Sequence, residues 1–333
     1  MIKAQVNSLS LFTHKGEKMN NDVLESIFEK IESYDSIVIF GHKNPDGDCV
    51  GSVMGLKSEL QYLFPKKKIY GVGTHPSYLP KFVQPSDEIG EDVITSSLAI
   101  MVDLSDLDRV EDQRILKAKE IVCFDHHVQQ DKPYNFLCYR KEEAPSATFI
   151  LAKVYLEHYK FLTKEAATYF YMGLVTDTGR FQFDSNPDTL LMASKLISLG
   201  VDYKSLYNDL YQQSSKDLKY RAFIYNNYKF SGKVTYVIVR KEDYLSLGLS
   251  SNQAAGKVNL LSLLDNHPIW VSFLEEENGD IRVEYRANGH YNVQKTATEF
   301  GGGGHFSASG CTLKNLDRVD EILESLNSLE EVK

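Results

Sequence analysis

The segment His42-Lys43-Asn44-Pro45-Asp46-Gly47-Asp48 sets one imidazole and two carboxylates within seven residues. Such donors can hold a divalent cation, although the segment taken alone also reads as a polar turn with Asp48 as a helix N-cap. Recurrence shifts the balance. Asp103 ends Met101-Val102-Asp103, Asp125-His126-His127 follows Cys123-Phe124, and Asp177 stands in Thr176-Asp177-Thr178-Gly179-Arg180. A single Asp after a strand is more often a cap than a ligand, but four such segments agreeing by chance is much rarer. Two imidazoles with four carboxylates and no thiolate form a hard, mixed site that suits Mn²⁺ or Mg²⁺ better than structural zinc. Six side chains exceed what one catalytic ion with an open position needs, yet they suffice for two ions if one carboxylate bridges. Ions roughly 3.5 to 4 Å apart form a clamp for in-line phosphoryl displacement, so a phosphate ester or anhydride is the expected substrate.

The elements that would position these residues are legible in the apolar pattern. Ile37 to Phe40, Leu98 to Val102 and Ile121 to Phe124 read as short buried strands. Leu24, Ile27, Phe28 and Ile31 fall at helical spacing, with a cap expected near Asn20 to Asp22, and Val50 to Phe64 and Ala144 to Tyr159 read as further helices. Strands alternating with helices favour a mostly parallel α/β sheet, whose ligands gather at the carboxyl ends of the strands. Asp188 to Tyr220 is helical in pattern and reads as a connection between domains. Beyond it, Val234 to Arg240, Ile269 to Leu274 and Ile281 to Tyr285 read as strands, with Asn278-Gly279-Asp280 as the turn joining the last two. A helix is expected over Ser251 to Leu264 and another from about Asp317.

The glycine run Gly301 to Gly304 before His305 is not a dinucleotide fingerprint, since no GxGxxG can be drawn through it. Its backbone N–H groups can approach an anion closely, with His305 as an added donor; the alternative is a flexible turn. Arg180 and Lys257 read as solvated surface charge.

Together the segments His42 to Asp48, Asp103, Asp125-His126-His127 and Asp177 resemble the four motifs of the DHH phosphoesterase superfamily. Gly301-Gly302-Gly303-Gly304-His305 followed by Ala308-Ser309-Gly310 resembles the signature of its DHHA1 C-terminal domain. The resemblance spans about residues 20 to 330 and is greatest to the bacterial bifunctional oligoribonuclease and pAp phosphatase group. It implies a tail over residues 1–19, a DHH metal-binding catalytic domain over 20–190, a helical linker over 191–225 and a smaller α/β DHHA1 substrate-binding domain over 226–333, with the active site in the cleft. It implies that His42, Asp46 and Asp103 hold one ion and that Asp48, Asp103, His126 and Asp177 hold the other, with Asp103 bridging. His127 would then face the substrate phosphate and Asp125 would orient the histidines. Arg286, Gly302, Gly303, Gly304 and His305 are the implied substrate contacts; Ala287 and Phe306 depart from the polar residues expected beside them.

These residues predict two Mn²⁺, with Mg²⁺ as the alternative, and a hydroxide between them attacking phosphorus in line. Short oligonucleotides would yield 5′-mononucleotides, and pAp would yield AMP. A cyclic dinucleotide phosphodiesterase would use the same ligands. An inorganic pyrophosphatase would lack the glycine-His signature, and a nucleotide-binding protein with a decayed site would lack ligands. Homodimerisation is implied by the resemblance alone.

Bulk properties are consistent with that reading. The 333 residues, 42% of them hydrophobic, are enough for two cores. The net charge is −9 and the densest basic run is only Lys66 to Lys68, which disfavours long nucleic acid as a partner. No apolar run approaches a membrane span, and Leu9 to Phe12 is too short for a signal-peptide core, so the cytoplasm is expected and Met19 is an alternative start. Cys49, Cys123, Cys138 and Cys311 lack CxxC spacing and read as reduced thiols.

Overall fold

The structure, a computed structural model, describes residues 17–76, 79–128, 135–183, 185–262 and 264–332. The expected tail lies outside the described residues as far as residue 16, and from Glu17 the backbone is already helical. Two compact units divide the chain, Met1–Tyr211 and Gln212–Lys333.

In the first unit the order is α1 (Glu17–Ser33), β1 (Ser36–Phe40), α2 (Gly47–Leu63), β2 (Lys68–Val72), α3 (Glu91–Thr95), β3 (Leu98–Val102), β4 (Glu120–Asp125), β5 (Leu137–Arg140), α4 (Ala147–His158), α5 (Lys164–Asp177), α6 (Pro187–Ser198) and α7 (Tyr203–Tyr211). The five strands form one parallel sheet in the order β2-β1-β3-β4-β5. A parallel sheet is covered on both faces, which is why its strands read as unbroken apolar runs. Ile37, Ile39, Leu98, Ile100 and Val102 pack on one side with residues of α1, α2, α4 and α5. Val38, Phe40, Ala99 and Met101 pack on the other with Ile94 and Ile115. Met192, Ala193 and Leu196 of α6 join the first of these cores, so the stretch read as a connection is partly built into the first unit. The chain order reverses between β1 and β3. The loops leaving these two neighbouring strands diverge there, and the crevice they leave is where open α/β sheets hold ligands.

The second unit runs α8 (Ser215–Asn227), β6 (Lys229–Ser231), β7 (Val234–Val239), α9 (Lys241–Leu245), α10 (Ser251–Ala254), β8 (Ile269–Glu275), β9 (Ile281–Ala287), α11 (Val293–Glu299), β10 (Gly303–Gly304), β11 (Ala308–Leu313) and α12 (Val319–Ser328). Its mixed sheet has the order β10-β11-β9-β8-β7-β6, with β7 and β8 parallel and the other neighbours antiparallel. In β9 the residues Ile281, Val283, Tyr285 and Ala287 are buried and alternate with Arg282, Glu284 and Arg286, the period of a strand covered on one face. The helix expected over Ser251 to Leu264 is a correction: only Ser251–Ala254 is α-helical, Gly256 takes φ +73°, and Val258–Leu261 forms a separate 3₁₀ turn. A positive φ ends a right-handed helix wherever it falls. No helix among the described residues is long and apolar enough to cross a membrane.

Candidate metal centre

β1 ends at Phe40, and the chain then delivers His42 and the Asp46–Asp48 turn. Asp46 Oδ1 accepts from the backbone N–H of Asp48 and of Cys49, each at 3.0 Å, which makes Asp46 the N-cap of α2. Asp48 is thereby displaced from the capping role open to it in the sequence. It lies in the first turn of α2, buried, and its carboxylate accepts from the N–H groups of Ala147 (2.6 Å) and Thr148 (3.0 Å) at the start of α4. That partly positive helix end is a natural seat for a carboxylate. β3 delivers Asp103, whose φ of +62° turns it into the left-handed region that Asp tolerates better than most residues. β4 delivers Asp125, His126 and His127, and Asp177 is the last residue of α5.

Four of the other five expected ligands gather around Asp103. His42 Nε2 lies 3.3 Å from Asp103 Oδ2, and His126 Nε2 lies 3.3 Å from Asp103 Oδ1. His126 Nε2 also lies 3.5 Å from Asp177 Oδ2 and 3.9 Å from Asp48 Oδ2. The sixth, Asp46, is 4.0 Å from His42 Nε2 and is the most exposed member. Both imidazoles are oriented from behind: the Nδ1 of His42 faces the Lys43 carbonyl at 2.9 Å, and that of His126 faces the Ala144 carbonyl at 3.2 Å. A carbonyl only accepts, so in each neutral ring the proton sits on Nδ1 and the Nε2 lone pair points at the carboxylates, the tautomer a metal ligand needs. His127 is held differently, by its Nδ1 on Asp125 Oδ1 at 2.8 Å. Arg140 Nε, 3.4 Å from Asp125 Oδ2, steadies that carboxylate in turn. Asp125 thus orients His127.

The residues fit divalent cations on electrostatic grounds. Asp103 Oδ1 is buried without a hydrogen bond, which costs free energy unless a positive charge meets it. Burial disfavours the imidazolium of His42, yet its contacts with Asp103 and Cys49 outweigh burial and push its pKa up to about 12. His126 is likewise pushed up against burial by Asp103 and Asp177. Burial and the neighbouring Asp103 charge push Asp48 up to about 7, and burial also raises Asp177. Burial opposes ionisation of Asp103, but His126 and His42 hold it well below the usual carboxylate range. Protons therefore gather around Asp103 where cations would sit.

The second unit gathers the other expected residues. Arg286 on β9 pairs in register with Ala308 on β11, and Gly304 on β10 pairs with Ser309 on β11, so the arginine and the glycine-His turn flank the same strand from opposite sides. The guanidinium is tied by Nη1 to the Tyr285 carbonyl at 2.8 Å. Within the glycine run Gly302 and Gly304 are closely packed, a Cβ on Gly302 coming within 2.6 Å of Cys311 Cβ, whereas a Cβ on Gly301 or Gly303 would meet open space; Gly301 and Gly304 have φ of +77° and +137°.

Three supports escaped the sequence reading. Thr148 and Ala147 hold Asp48 from about a hundred residues away, and Cys49 Sγ accepts from the His42 backbone N–H at 3.3 Å. The Ser146 N-cap of α4 was the one local signal that could have marked the first two.

The model of the DHH family, N-terminal domain, matches residues 36–174, and that of the DHHA1 domain matches residues 232–331. A Bacillus subtilis protein named bifunctional oligoribonuclease and PAP phosphatase NrnA is 32% identical over 91% of this chain and 97% of its own length. A Mycoplasma genitalium protein of the same name is 31% identical over 92% and 97%. The crystal structure of an exopolyphosphatase-related protein from Bacteroides fragilis, 23% identical, covers 92% of this chain and 97% of its own with a TM-score of 0.83, which bears on fold. Since both domain models match in order and such relatives align along nearly their whole lengths, the chain belongs to the DHH family.

Proposed function

We propose that this chain is a metal-dependent phosphoesterase that cleaves short oligonucleotides to 5′-mononucleotides and converts pAp to AMP, the pair of activities for which the relatives from Bacillus subtilis and Mycoplasma genitalium are named. The observation that carries the reading is Asp103: a buried carboxylate with an imidazole 3.3 Å from each of its oxygens, set to bridge two cations. In this reading two Mn²⁺, or Mg²⁺ in their place, are held by His42, Asp46 and Asp103 on one side and by Asp48, Asp103, His126 and Asp177 on the other. When bound, such a pair supplies Lewis acidity toward the phosphoryl group and a water nucleophile competent at neutral pH.

The protein's own residues do the rest. The two Nδ1-anchored imidazoles keep their lone pairs aimed inward, and Asp125 holds His127 as a donor for a non-bridging phosphate oxygen as charge builds there. Arg286 and the backbone of Gly302, Gly303 and Gly304, with His305, grip a terminal phosphate; a guanidinium supplies a paired, charge-assisted contact. A site for one small phosphorylated ligand suits a chain of net charge −9 better than a groove for a long strand does. We place the reaction in the cytoplasm.

The test is a panel of pAp, a dinucleotide, a pentanucleotide, cyclic di-AMP and pyrophosphate offered to the purified protein with Mn²⁺. Turnover of the first three is expected. Asp103→Asn should reduce it by more than the roughly 10–100-fold typical of a residue that only supports a ligand from behind. Turnover confined to cyclic di-AMP or pyrophosphate, or near-normal activity in Asp103→Asn, overturns the reading.

A further inference from the structure

We propose that Cys49 is a latent sulfur ligand at the His42 metal position, making that position receptive to thiophilic divalent ions such as Co²⁺, Zn²⁺ and Cd²⁺. The inference rests on the reading above that the cluster holds metal, and adds a ligand of different chemistry to it.

The geometry is that of three side chains from three elements. β1 leads into His42, the first turn of α2 carries Cys49, and β3 leads into Asp103. All three are buried, and one ligand atom from each lies within 4.8 Å of the others. The thiol is directed toward this cluster by the His42 backbone N–H, which donates to Sγ at 3.3 Å. Space for the sulfur depends on residue 41: a Cβ on Gly41 would overlap Cys49 Sγ. The blander account, a small residue filling space under α2, explains the burial but not a sulfur tied to the backbone of one ligand and grouped with the side chains of two.

Chemistry then separates the ions. Oxygen and imidazole donors suit Mn²⁺ and Mg²⁺, whereas a thiolate beside an imidazole and a carboxylate forms the mixed, low-coordinate set that zinc and its analogues prefer. As the metal–sulfur bond forms, the thiol proton leaves to solvent, so electrons and charge balance without an oxidant. The consequence is competition: a soft ion engages Cys49, while a hard ion leaves it a bystander.

Cobalt reads this directly. Titrating the metal-free, full-length protein with Co²⁺ should give visible d–d bands together with a near-ultraviolet sulfur-to-cobalt charge-transfer band. That band should vanish in Cys49→Ser and persist in Cys311→Ser. In the same proteins Cd²⁺ should displace Mn²⁺, followed by the paramagnetic signal of released Mn²⁺, at a concentration about tenfold lower for the wild type than for Cys49→Ser, a difference of about 1.4 kcal/mol. Visible d–d bands without charge transfer in the wild type would overturn the role of Cys49 and leave the metal centre standing. A charge-transfer band unchanged in Cys49→Ser would do the same. Absence of any cobalt spectrum would sink both readings, and the wild-type measurement does not depend on how any variant folds.

Discussion

Asp103 bears two local costs at once. Its φ of +62° lies where non-glycine residues store about 1–3 kcal/mol, and its buried Oδ1 has no well-aligned hydrogen bond, only the His126 ring nitrogen 3.3 Å away. A bridging cation would relieve the second directly and turn the first into pre-organisation. Asp125 plays a different part, since its Oδ1 holds His127 Nδ1 at 2.8 Å. Asp125→Asn should therefore leave metal stoichiometry intact, as judged by Mn²⁺ titration, while turnover falls roughly 10–100-fold; loss of a bound ion would place Asp125 among the ligands instead. The candidate ligands were readable because each stands beside the end of a strand or helix, and open parallel sheets gather ligands at strand ends. What supports them was not. The carbonyls of Lys43 and Ala144 that orient His42 and His126 belong to the backbone and leave no trace in residue type. The contact of Thr148 with Asp48 exists only once α2 and α4 meet.

Helix spacing is what brings Asp48 and Asp177 to the same imidazole. Along α2, Gly47, Gly51 and Gly55 recur every fourth residue and form one face against α5. A Cβ on Gly51 would come within 2.7 Å of the Tyr169 carbonyl oxygen, and one on Gly55 within 2.7 Å of the Phe170 ring. On α5, a Cβ at Gly173 would lie 2.8 Å from Asp48 Oδ1 itself. Gly51→Ala should push the helices apart and destabilise the protein by about 1–3 kcal/mol, measured by urea unfolding. Because the two helices carry the proposed ligands Asp48 and Asp177, Mn²⁺ affinity should weaken alongside; a stability loss with unchanged affinity would show that the spacing serves packing only. At this scale the central strands β1, β3 and β4 were legible as apolar runs, buried on both faces. The edge strands β2 and β5 were not, since each has a neighbouring strand on one side only and mixes polar with apolar residues, as in Lys68-Ile69-Tyr70-Gly71-Val72. The short α10 was over-read because Gly256 carries no warning of its left-handed backbone until the turn is seen.

Across the whole molecule, the acidic cluster couples folding to both protons and metal. In the metal-free protein His42 is raised from 6.5 to about 12 and Asp48 from 3.8 to about 7, with His126 and Asp177 shifted the same way. A group whose pKa is higher folded than unfolded contributes stability fully present below its unfolded value and lost as pH rises through its folded value. Asp103 and Asp125 are shifted down and have the opposite sign, their contribution being lost as pH falls toward the acid range. Near neutrality the raised groups dominate, so the metal-free protein should lose stability as pH climbs from about 6 to about 8, the interval around the Asp48 value. Metal ions compete for the same positions and must expel those protons, so their affinity rises over the same interval. An ion at a hundredfold excess over its Kd adds about 2.7 kcal/mol. The gap in Tm between protein saturated with Mn²⁺ and protein treated with chelator should therefore widen from about pH 6 to about pH 8, and calorimetry in two buffers of different ionisation enthalpy should register protons released on binding. A gap that stays constant across that range, or binding with no proton release, would mean that the charges around Asp103 are balanced without the cations its geometry calls for.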